Sequence, residues 1–301
     1  MENVASKPLL RAILDAKGRD DGKPVDTNAN AIPVRRVLAL AEALARKPLA
    51  NSRVLDIACQ EGCYALEFAL TGAEAVGVEA REYHAQRARI CAEQTGMGDR
   101  VQFEIGDIRA ITEASHGRFD IVLMLGILYH LDATDAAETL SRLEALTDDL
   151  LIIDTHIALS AKASFDWRGR DYDGAFVREH GDNDTEEQRK ARRQASIDNT
   201  FAFYFTKQAL ARLLFECGFT IVMEALTPLD ATKPTDRATF VAMKRPVRQG
   251  QLYPWIHLLS EDQIAAAAQS YLPALPGGGR VKAARLANKL LHKLGFTLTP
   301  R

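Results

Sequence analysis

Three acidic residues stand at or near the ends of short apolar segments. Asp56 lies in RVLDIA, Glu79 closes AVGVE, and Asp107 follows VQFEIG. If these segments are neighbouring parallel strands, a carboxylate at the end of the second can accept hydrogen bonds from both hydroxyls of a ribose, and one after the third can accept from an exocyclic adenine amine. The three acids therefore predict a site for an adenosine-bearing ligand.

The stretch VLDIACQEG, residues 54–62, leads from the first of these segments into a turn. In doubly wound sheets, backbone N–H groups and a helix N-terminus face the ligand at this point. The glycine spacing of a dinucleotide fingerprint and the phosphate-loop signature are both absent, and Asp56 and Glu61 beside the turn would repel a pyrophosphate. An alanine fills a glycine position where φ is negative, so Ala58 is expected to be tolerated, whereas Gln60 departs more strongly from a glycine turn.

Short β-rich segments alternate with amphipathic helices between Arg53 and Thr155. This alternation is typical of βαβ units, which build a mostly parallel sheet with helices on both faces. Two further strands, TIVMEAL and ATFVAMK, follow a helix with Thr206 as its N-cap and Gly218 as its C-cap. The sequence thus predicts an α/β fold on a Rossmann-like, seven-stranded, mostly parallel sheet.

The regions outside this alternation predict an insertion and helical additions. Over residues 159–200 the chain is polar, aromatic and punctuated by glycine, which predicts a lid with a helix near 184–195. Helices are also predicted at 4–16, at 33–46 with Pro33 in the first turn, at 261–270 and at 281–294. The predicted organisation is an N-terminal helical cap at 1–50, an α/β domain at 51–246 that contains the lid, and a C-terminal helical extension at 247–301.

Composition and charge limit the expected partners. Lys and Arg number 38 against 40 Asp and Glu, and the net charge of -2 gives no whole-chain reason to expect a polyanion. Basic residues at 188–193 and from 280 onward leave four interpretations open: contact with RNA, contact with an anionic surface, a solvated helix face, or a homodimer contact. Charged residues interrupt any signal-peptide core, no apolar run is long enough to span a membrane, and the cysteines lack zinc-finger spacing. A cytoplasmic protein is expected.

Residues 53–154 resemble the class I S-adenosylmethionine-dependent methyltransferases. The first motif of that family is commonly written D-x-G-C-G-x-G. Here Asp56, Cys59 and Gly62 match it, while Ala58 and Gln60 replace two glycines. The resemblance implies S-adenosyl-L-methionine as cofactor and an antiparallel closing hairpin for the last two strands. It also implies these cofactor-binding residues: Asp56, Ala58, Gln60, Gly62, Glu79 as the ribose acid, Ala80, the adenine-contacting pair Asp107 and Ile108, and Leu125 in the fourth-strand motif.

The segment GILYHLDA, residues 126–133, follows the fourth strand, where the family places residues near the reactive methyl group. It resembles segments of the tRNA uridine carboxymethyltransferase group and of many small-molecule methyltransferases. Tyr129 and His130 are candidates for lining the methyl channel, although a core tyrosine and a turn-capping histidine are the alternative. His156, just past the fifth strand, is a second candidate base, since a histidine titrates near neutrality. No compact ligand spacing supports a metal site.

The insertion supplies the candidates for binding the acceptor. Aromatic rings there can close over an apolar or aromatic acceptor, and arginines can hold a carboxylate or phosphate. A solvated surface excursion is the alternative. The predicted substrate-binding residues are Trp167, Arg170, Tyr172, Arg178, His180, Asn199 and Tyr204.

These observations lead to one hypothesis and two alternatives. The hypothesis is a methyltransferase that acts on oxygen or nitrogen of a small metabolite, with anionic and aromatic compounds as the candidate acceptors. The first alternative is a tRNA-modifying methyl- or carboxymethyltransferase, which would show steeply salt-dependent binding. The second is a non-catalytic S-adenosylmethionine-binding protein, which the departures at Ala58 and Gln60 suggest.

Overall fold

In the computed structural model of the protein, the described residues are 27–192, 195–226 and 235–245. They belong to one compact unit that ends at Arg245. The helices predicted at 4–16, 261–270 and 281–294, and with them the C-terminal extension, lie outside the described residues.

The main sheet has seven strands: β1 Arg53–Ile57, β2 Glu74–Glu79, β3 Val101–Ile105, β4 Phe119–Leu125, β5 Thr147–His156, β9 Ile221–Glu224 and β10 Arg237–Met243. Their order in the sheet is β3-β2-β1-β4-β5-β10-β9. Neighbouring strands from β3 to β5 in this order are parallel, and β10 is antiparallel to both β5 and β9. The predicted fold class and the reversed last strand are therefore confirmed.

Helices cover both faces of this sheet because successive strand residues point to opposite sides. Val54 and Leu55, both fully buried, belong to different hydrophobic clusters. The helices are α1 Thr27–Leu44, α2 Cys63–Leu70, α3 Glu82–Thr95, α4 Glu113–His116, α5 Ala133–Leu146, α6 Glu186–Ala191 and α7 Lys207–Cys217. The cluster that contains Val54 includes residues of α1, α2 and α3, and the cluster that contains Leu55 includes residues of α5 and α7.

Capping explains several helix boundaries. Thr206 accepts a hydrogen bond from the Ala209 N–H at the start of α7, and Gly218 follows its end with φ of 124°, as predicted. The helix predicted to begin near Pro33 begins at Thr27 instead. Proline prefers the first turn of a helix but is not confined to it, and this helix begins six residues before Pro33.

A second sheet, which was not predicted from the sequence, lies in the insertion and just after it, and the helix predicted near 184–195 is α6. Strands β6 Ala163–Trp167, β7 Arg170–Arg178 and β8 Phe201–Phe205 form an antiparallel sheet in the order β6-β7-β8. Arg168 and Gly169 connect β6 to β7 with φ values of 54° and 78°, as a two-residue type I′ hairpin turn requires. Tyr172, Phe203 and Phe205 bury the inner face of this sheet in the same cluster as α5 and α7.

Candidate active site

The turn between β1 and α2 has an unusual backbone. Ala58, Gln60 and Gly62 have φ values of 54°, 49° and 75°, so every second residue is left-handed. The expectation that Ala58 occupies a position with negative φ is therefore wrong. A left-handed conformation costs a residue with a Cβ about 1–2 kcal/mol, and the turn is held by hydrogen bonds from Cys59 N to Val78 O and from Gly62 N to Cys59 O, at 3.2 and 2.8 Å.

Glu79 connects this turn to the end of β2. Its side chain is almost fully buried, with 6% exposure. The backbone N–H of Gln60 donates to Oε2 at 3.0 Å, and the N–H of Arg81 donates to Oε1 at 2.8 Å. Each carboxylate oxygen retains a second lone pair, so the carboxylate can still accept hydrogen bonds from a ligand.

Asp107 follows β3 and is paired with Arg109. The guanidinium contacts Asp107 at 2.6 Å, Asp135 at 3.0 Å and Asp198 at 2.7 Å. Burial alone would raise the pKa of Asp107, but the hydrogen bonds and charge of Arg109 outweigh it and lower that pKa. Asp107 is therefore a carboxylate at neutral pH, fixed in orientation at the end of its strand.

A cavity of about 450 Å³ opens at the carboxyl ends of β1, β2, β3 and β4. Its walls come from the turn after β1, the ends of β2 and β3, and the segment after β4. The segment 195–199 completes the lining and closes the cavity. Of the residues predicted from sequence, it is lined by Ala58, Gln60, Glu79, Ala80, Asp107, Ile108, Leu125, Tyr129, His130 and Asn199.

Asp56 and Gly62 support the turn and are absent from the cavity lining. Asp56 Oδ2 accepts a hydrogen bond from Ala65 N at 3.3 Å. Burial, with a smaller contribution from the charge of Glu79, raises the pKa of Asp56 to about 7. A Cβ on Gly62 would lie 2.3 Å from Cζ of Phe103, so this position requires glycine for space as well as for its φ.

An aromatic cluster lies beside the cavity, after β4 and β5. The ring centroids of Tyr129 and His156 are 4.7 Å apart, and those of His156 and Tyr204 are 5.8 Å apart. The guanidinium carbon of Arg237 lies 5.4 Å from the Tyr129 ring centroid, and Arg237 pairs with Asp154. Burial, followed by the charge of Glu179, raises the pKa of Tyr204 to about 12, so its hydroxyl keeps its proton at neutral pH.

A family model described as a methyltransferase domain matches residues 54–149. These residues include the strand ends and turns that form most of the cavity lining. Residues 54–149 are a methyltransferase domain.

Two groups of curated proteins match about a third of the chain. The ubiquinone biosynthesis O-methyltransferase of Ruegeria pomeroyi is 38% identical over 105 residues, which are 35% of this chain and 39% of that protein. The 23S rRNA (uracil(1939)-C(5))-methyltransferase RlmD of Dechloromonas aromatica is 33% identical over 112 residues, 35% of this chain and 25% of that protein. The alignment with each of these two relatives thus spans less than half of the relative's length.

Solved structures resemble a larger part of the chain. The N-terminal domain of EvdMO1 with S-adenosylhomocysteine bound has a TM-score of 0.58 and 23% identity, and covers 74% of this chain and 86% of that one. The magnesium protoporphyrin IX methyltransferase of Synechocystis PCC 6803, with bound S-adenosylmethionine, has a TM-score of 0.51 and 20% identity. The match covers 77% of this chain and 90% of that one. At these identities the likeness shows the fold of the methyltransferase domain and its surroundings.

His130 of the methyltransferase domain is paired with a residue of the insertion. Its Nδ1 atom lies 3.0 Å from Oε2 of Glu179, whose side chain is 8% exposed. The same oxygen accepts a hydrogen bond from Ser196 N at 2.9 Å. Burial opposes ionisation of Glu179, but these two hydrogen bonds outweigh it and lower its pKa. A carboxylate thus joins the segment after β4 to the segment that closes the cavity.

Six predicted substrate-binding residues are absent from the cavity lining, and one of them, Tyr204, belongs to the aromatic cluster beside it. Trp167 Nε1 donates to Glu138, and the hydroxyl of fully buried Tyr172 donates to Glu216. Arg170 also pairs with Glu216, and Arg178 pairs with Asp182. Buried His180 donates from Nε2 to Ser196 O and accepts at Nδ1 from Arg192. Trp167 and Tyr172 help to form the core beneath the second sheet, and His180 holds the segment that closes the cavity.

Several residues of the site escaped the sequence analysis. Arg81 donates to the carbonyls of Arg192 and Ala195 at 2.7 and 2.9 Å, Arg109 reaches Asp198, and Arg237 lies against Tyr129. Arg81 and Arg109 follow the predicted acids by two residues, so their spacing was a usable signal. Arg237 joins the site only because β10 returns beside β5, which no local pattern of its own segment indicates.

The described ranges contain neither a membrane-spanning helix nor a metal-binding cluster. No helix among residues 27–192, 195–226 and 235–245 is long and apolar enough to cross a membrane. Within the same ranges, no group of three or more His, Cys, Asp or Glu side chains is arranged to hold a metal ion.

Proposed function

We propose that the chain transfers a methyl group from S-adenosylmethionine to an oxygen or nitrogen atom of a small molecule. The observation that carries this proposal is the cavity itself. It brings Glu79 and Asp107, acids from two different strand ends, to one space beside the left-handed turn at Ala58 and Gln60. Carboxylates at these two places suit a ribose and an adenine amine.

The cavity residues fit such a ligand in chemistry. Glu79 is a buried acceptor with unused lone pairs, Asp107 is kept ionised by Arg109, and Ile108 and Leu125 supply apolar walls. S-adenosylmethionine supplies a methyl group that is already activated on a sulfonium. The protein then has to align the acceptor, exclude water and remove a proton, and alignment alone is worth roughly 7–11 kcal/mol.

The acceptor side is proposed to lie where the cavity meets the aromatic cluster of Tyr129, His156 and Tyr204. Aromatic rings with one cation at their edge suit a ring-bearing or hydroxyl-bearing molecule. The lid arginines predicted to hold an anion are paired elsewhere, and the charge of Arg237 is largely offset by Asp154. A neutral or singly charged acceptor is therefore favoured over a multiply charged one.

The names of several relatives are consistent with a small-molecule acceptor. They include a ubiquinone biosynthesis O-methyltransferase, a magnesium protoporphyrin IX methyltransferase and a 1,6-didemethyltoxoflavin-N1-methyltransferase. One related structure was determined in the presence of S-adenosylhomocysteine and D-fucose. A test panel for this chain should therefore contain phenols, catechols, nitrogen heterocycles and hexoses.

The experiment is a turnover assay with that panel. Purified full-length protein is incubated with S-adenosylmethionine and each acceptor, and S-adenosylhomocysteine and a product 14 mass units heavier are measured together. Formation of both with one class of acceptor supports the proposal. Cofactor binding with no product from any acceptor would instead favour a non-catalytic binding protein.

A nucleic-acid acceptor is the second candidate, since the match to the rRNA methyltransferase favours it. The described arginines of the basic segment at 188–193 are already engaged within the chain. Arg189 donates to Asp198 O, and Arg192 pairs with Asp184. RNA binding that weakens steeply between 50 and 200 mM salt would support this candidate, and salt-independent or absent binding would exclude it.

A further inference from the structure

Two histidines lie near the proposed acceptor side, and their surroundings differ. His130 lines the cavity, and its Nδ1 atom faces the buried carboxylate of Glu179 at 3.0 Å. His156 is absent from the cavity lining. Its Nδ1 lies 3.1 Å from Asp236, and its Nε2 lies 3.5 Å from a guanidinium nitrogen of Arg237.

The partner of each ring determines where its lone pair points. An ionised carboxylate only accepts hydrogen bonds, so Nδ1 of His130 must carry the proton. In the neutral ring the lone pair is then on Nε2. For His156 the arginine N–H can only donate, so it faces the lone pair of Nε2 and competes with any proton from an acceptor.

We propose that His130 is the general base of the methyl transfer and that Glu179 is its positioning residue. This assignment rests on the proposed function. Glu179 holds Nδ1–H, so that Nε2 carries the lone pair of the neutral ring, and it stabilises the imidazolium that forms when the base has acted. The arrangement follows the logic by which a carboxylate orients and supports a catalytic histidine in hydrolases.

With a hydroxyl acceptor, the acceptor oxygen forms a bond to the methyl carbon, and the carbon–sulfur bond breaks with its electron pair moving to sulfur. The hydroxyl proton passes to Nε2 of His130. The products are the methyl ether, S-adenosylhomocysteine and an imidazolium, which returns its proton to solvent.

Glu179 also connects the base to the segment 195–199 of the cavity lining. The oxygen that holds His130 accepts the N–H of Ser196, and Ser196 belongs to that segment. The carbonyl of Ser196 is in turn bound by His180. One carboxylate oxygen therefore contributes both to the orientation of His130 and to the placement of this segment.

The first test measures the tautomer of His130 and needs no acceptor. Histidine-labelled protein with S-adenosylhomocysteine is studied by nitrogen NMR at pH 8, and the His130 signal is assigned by its loss in His130→Gln. Wild type is expected to show the Nδ1–H form. Glu179→Gln should retain it, because an amide oxygen accepts both hydrogen bonds, whereas Glu179→Leu should yield mixed tautomers. An Nε2–H form in wild type, or an unchanged Nδ1–H form in Glu179→Leu, would overturn the assignment.

The second test uses an acceptor from the panel. His130→Gln should lower kcat about 10²- to 10⁴-fold, the usual contribution of a general base. Glu179→Gln should lower kcat by a smaller factor with KM for S-adenosylmethionine unchanged, and His156→Gln should change kcat less than about tenfold. Full activity of His130→Gln would overturn the role of the base.

Binding separates this inference from the proposed function. Calorimetric titration of S-adenosylhomocysteine should give equal affinities for wild type, His130→Gln and Glu179→Gln. If wild type does not bind it, the proposed function fails regardless of the NMR result. If all three bind equally and all three turn over equally, the methyltransferase stands and only the assignment of His130 and Glu179 is wrong.

Discussion

The backbone N–H of Gln60 donates to Glu79 Oε2 at 3.0 Å, although Gln60 stands where the methyltransferase motif has a glycine. The side chain takes no part in this bond. It does force a residue with a Cβ into the left-handed region, at φ of 49°. The turn therefore keeps this hydrogen bond at a cost in stability.

Gln60→Gly is expected to stabilise the protein. The substitution relieves a conformation that costs about 1–2 kcal/mol, against a smaller loss from the flexibility of glycine in the unfolded chain. The net gain should be about 1 kcal/mol, or about 2–4 °C in Tm for a protein of this size. Thermal unfolding measures it.

Gly62→Ala is the matched control for that substitution. The new Cβ would lie 2.3 Å from Phe103 Cζ and also occupy φ of 75°, so this variant should lose stability. Overpacking of this kind costs about 1–3 kcal/mol. A lower Tm for Gln60→Gly, or an unchanged one for Gly62→Ala, would contradict the description of the turn.

Asp56→Asn is expected to change how stability depends on pH. The folded pKa of Asp56 is about 7 against a reference of 3.8, so the folded state binds a proton that the unfolded state has released between these values. Wild-type stability therefore falls as pH rises through this window, by up to about 1.4 kcal/mol per pH unit from this group. Asparagine removes this loss and can still accept from Ala65 N.

Unfolding of the ligand-free protein at pH 5 and pH 8 tests this expectation. Asp56→Asn should have a clear stability advantage over wild type at pH 8 and a much smaller one at pH 5. Asp107→Asn should show no such advantage at pH 8, because the pKa of Asp107 is lowered. If the free energies of unfolding of Asp56→Asn and wild type differ by the same amount at pH 5 and pH 8, the pKa of Asp56 is not raised in the folded state.

Asp107→Ala is expected to weaken binding of S-adenosylhomocysteine without unfolding the chain. A hydrogen bond to a charged group is worth about 1.5–3 kcal/mol, or roughly tenfold to a hundredfold in affinity. Asp135→Ala removes another partner of Arg109 that is absent from the cavity lining, and should leave affinity within about twofold. Equal losses for both variants would mean that Arg109, rather than Asp107, determines binding.

Trp167→Phe is expected to affect stability and not the site. It deletes the hydrogen bond to Glu138 and part of a buried ring, at a cost of about 1–3 kcal/mol. Affinity for S-adenosylhomocysteine should not change. A large loss of affinity at normal stability would return Trp167 to the ligand-binding residues predicted from sequence.

The sheet and the strand-end residues were predictable because their signals are local. Each parallel strand is a short apolar run, and the ligand-facing residues follow directly where it ends. Glu79, Asp107 and Ile108 could be placed on this basis, and the structure brings them to one cavity. The conformation of the turn was not predictable, because the hydrogen bonds that hold Ala58 in the left-handed region come from β2 as well as from the turn itself.

The second sheet was missed because its middle strand carries little apolar pattern. In β7, RDYDGAFVR, only Tyr172 and Gly174 are buried, and one of them has no side chain. Two signals were nevertheless present: the Arg168-Gly169 pair between alternating residues, and the run FAFYF of β8. The pairing of His130 with Glu179 could not be predicted, since it joins residues 49 positions apart through this sheet.

The most direct test of the central claim is calorimetric titration of the full-length protein with S-adenosylmethionine and S-adenosylhomocysteine, with Glu79→Ala measured beside wild type. We predict micromolar dissociation constants for both compounds in wild type and a loss of at least about tenfold in the variant, whose buried acceptor is gone. Absence of binding to either compound by folded wild-type protein would contradict the assignment of the cavity.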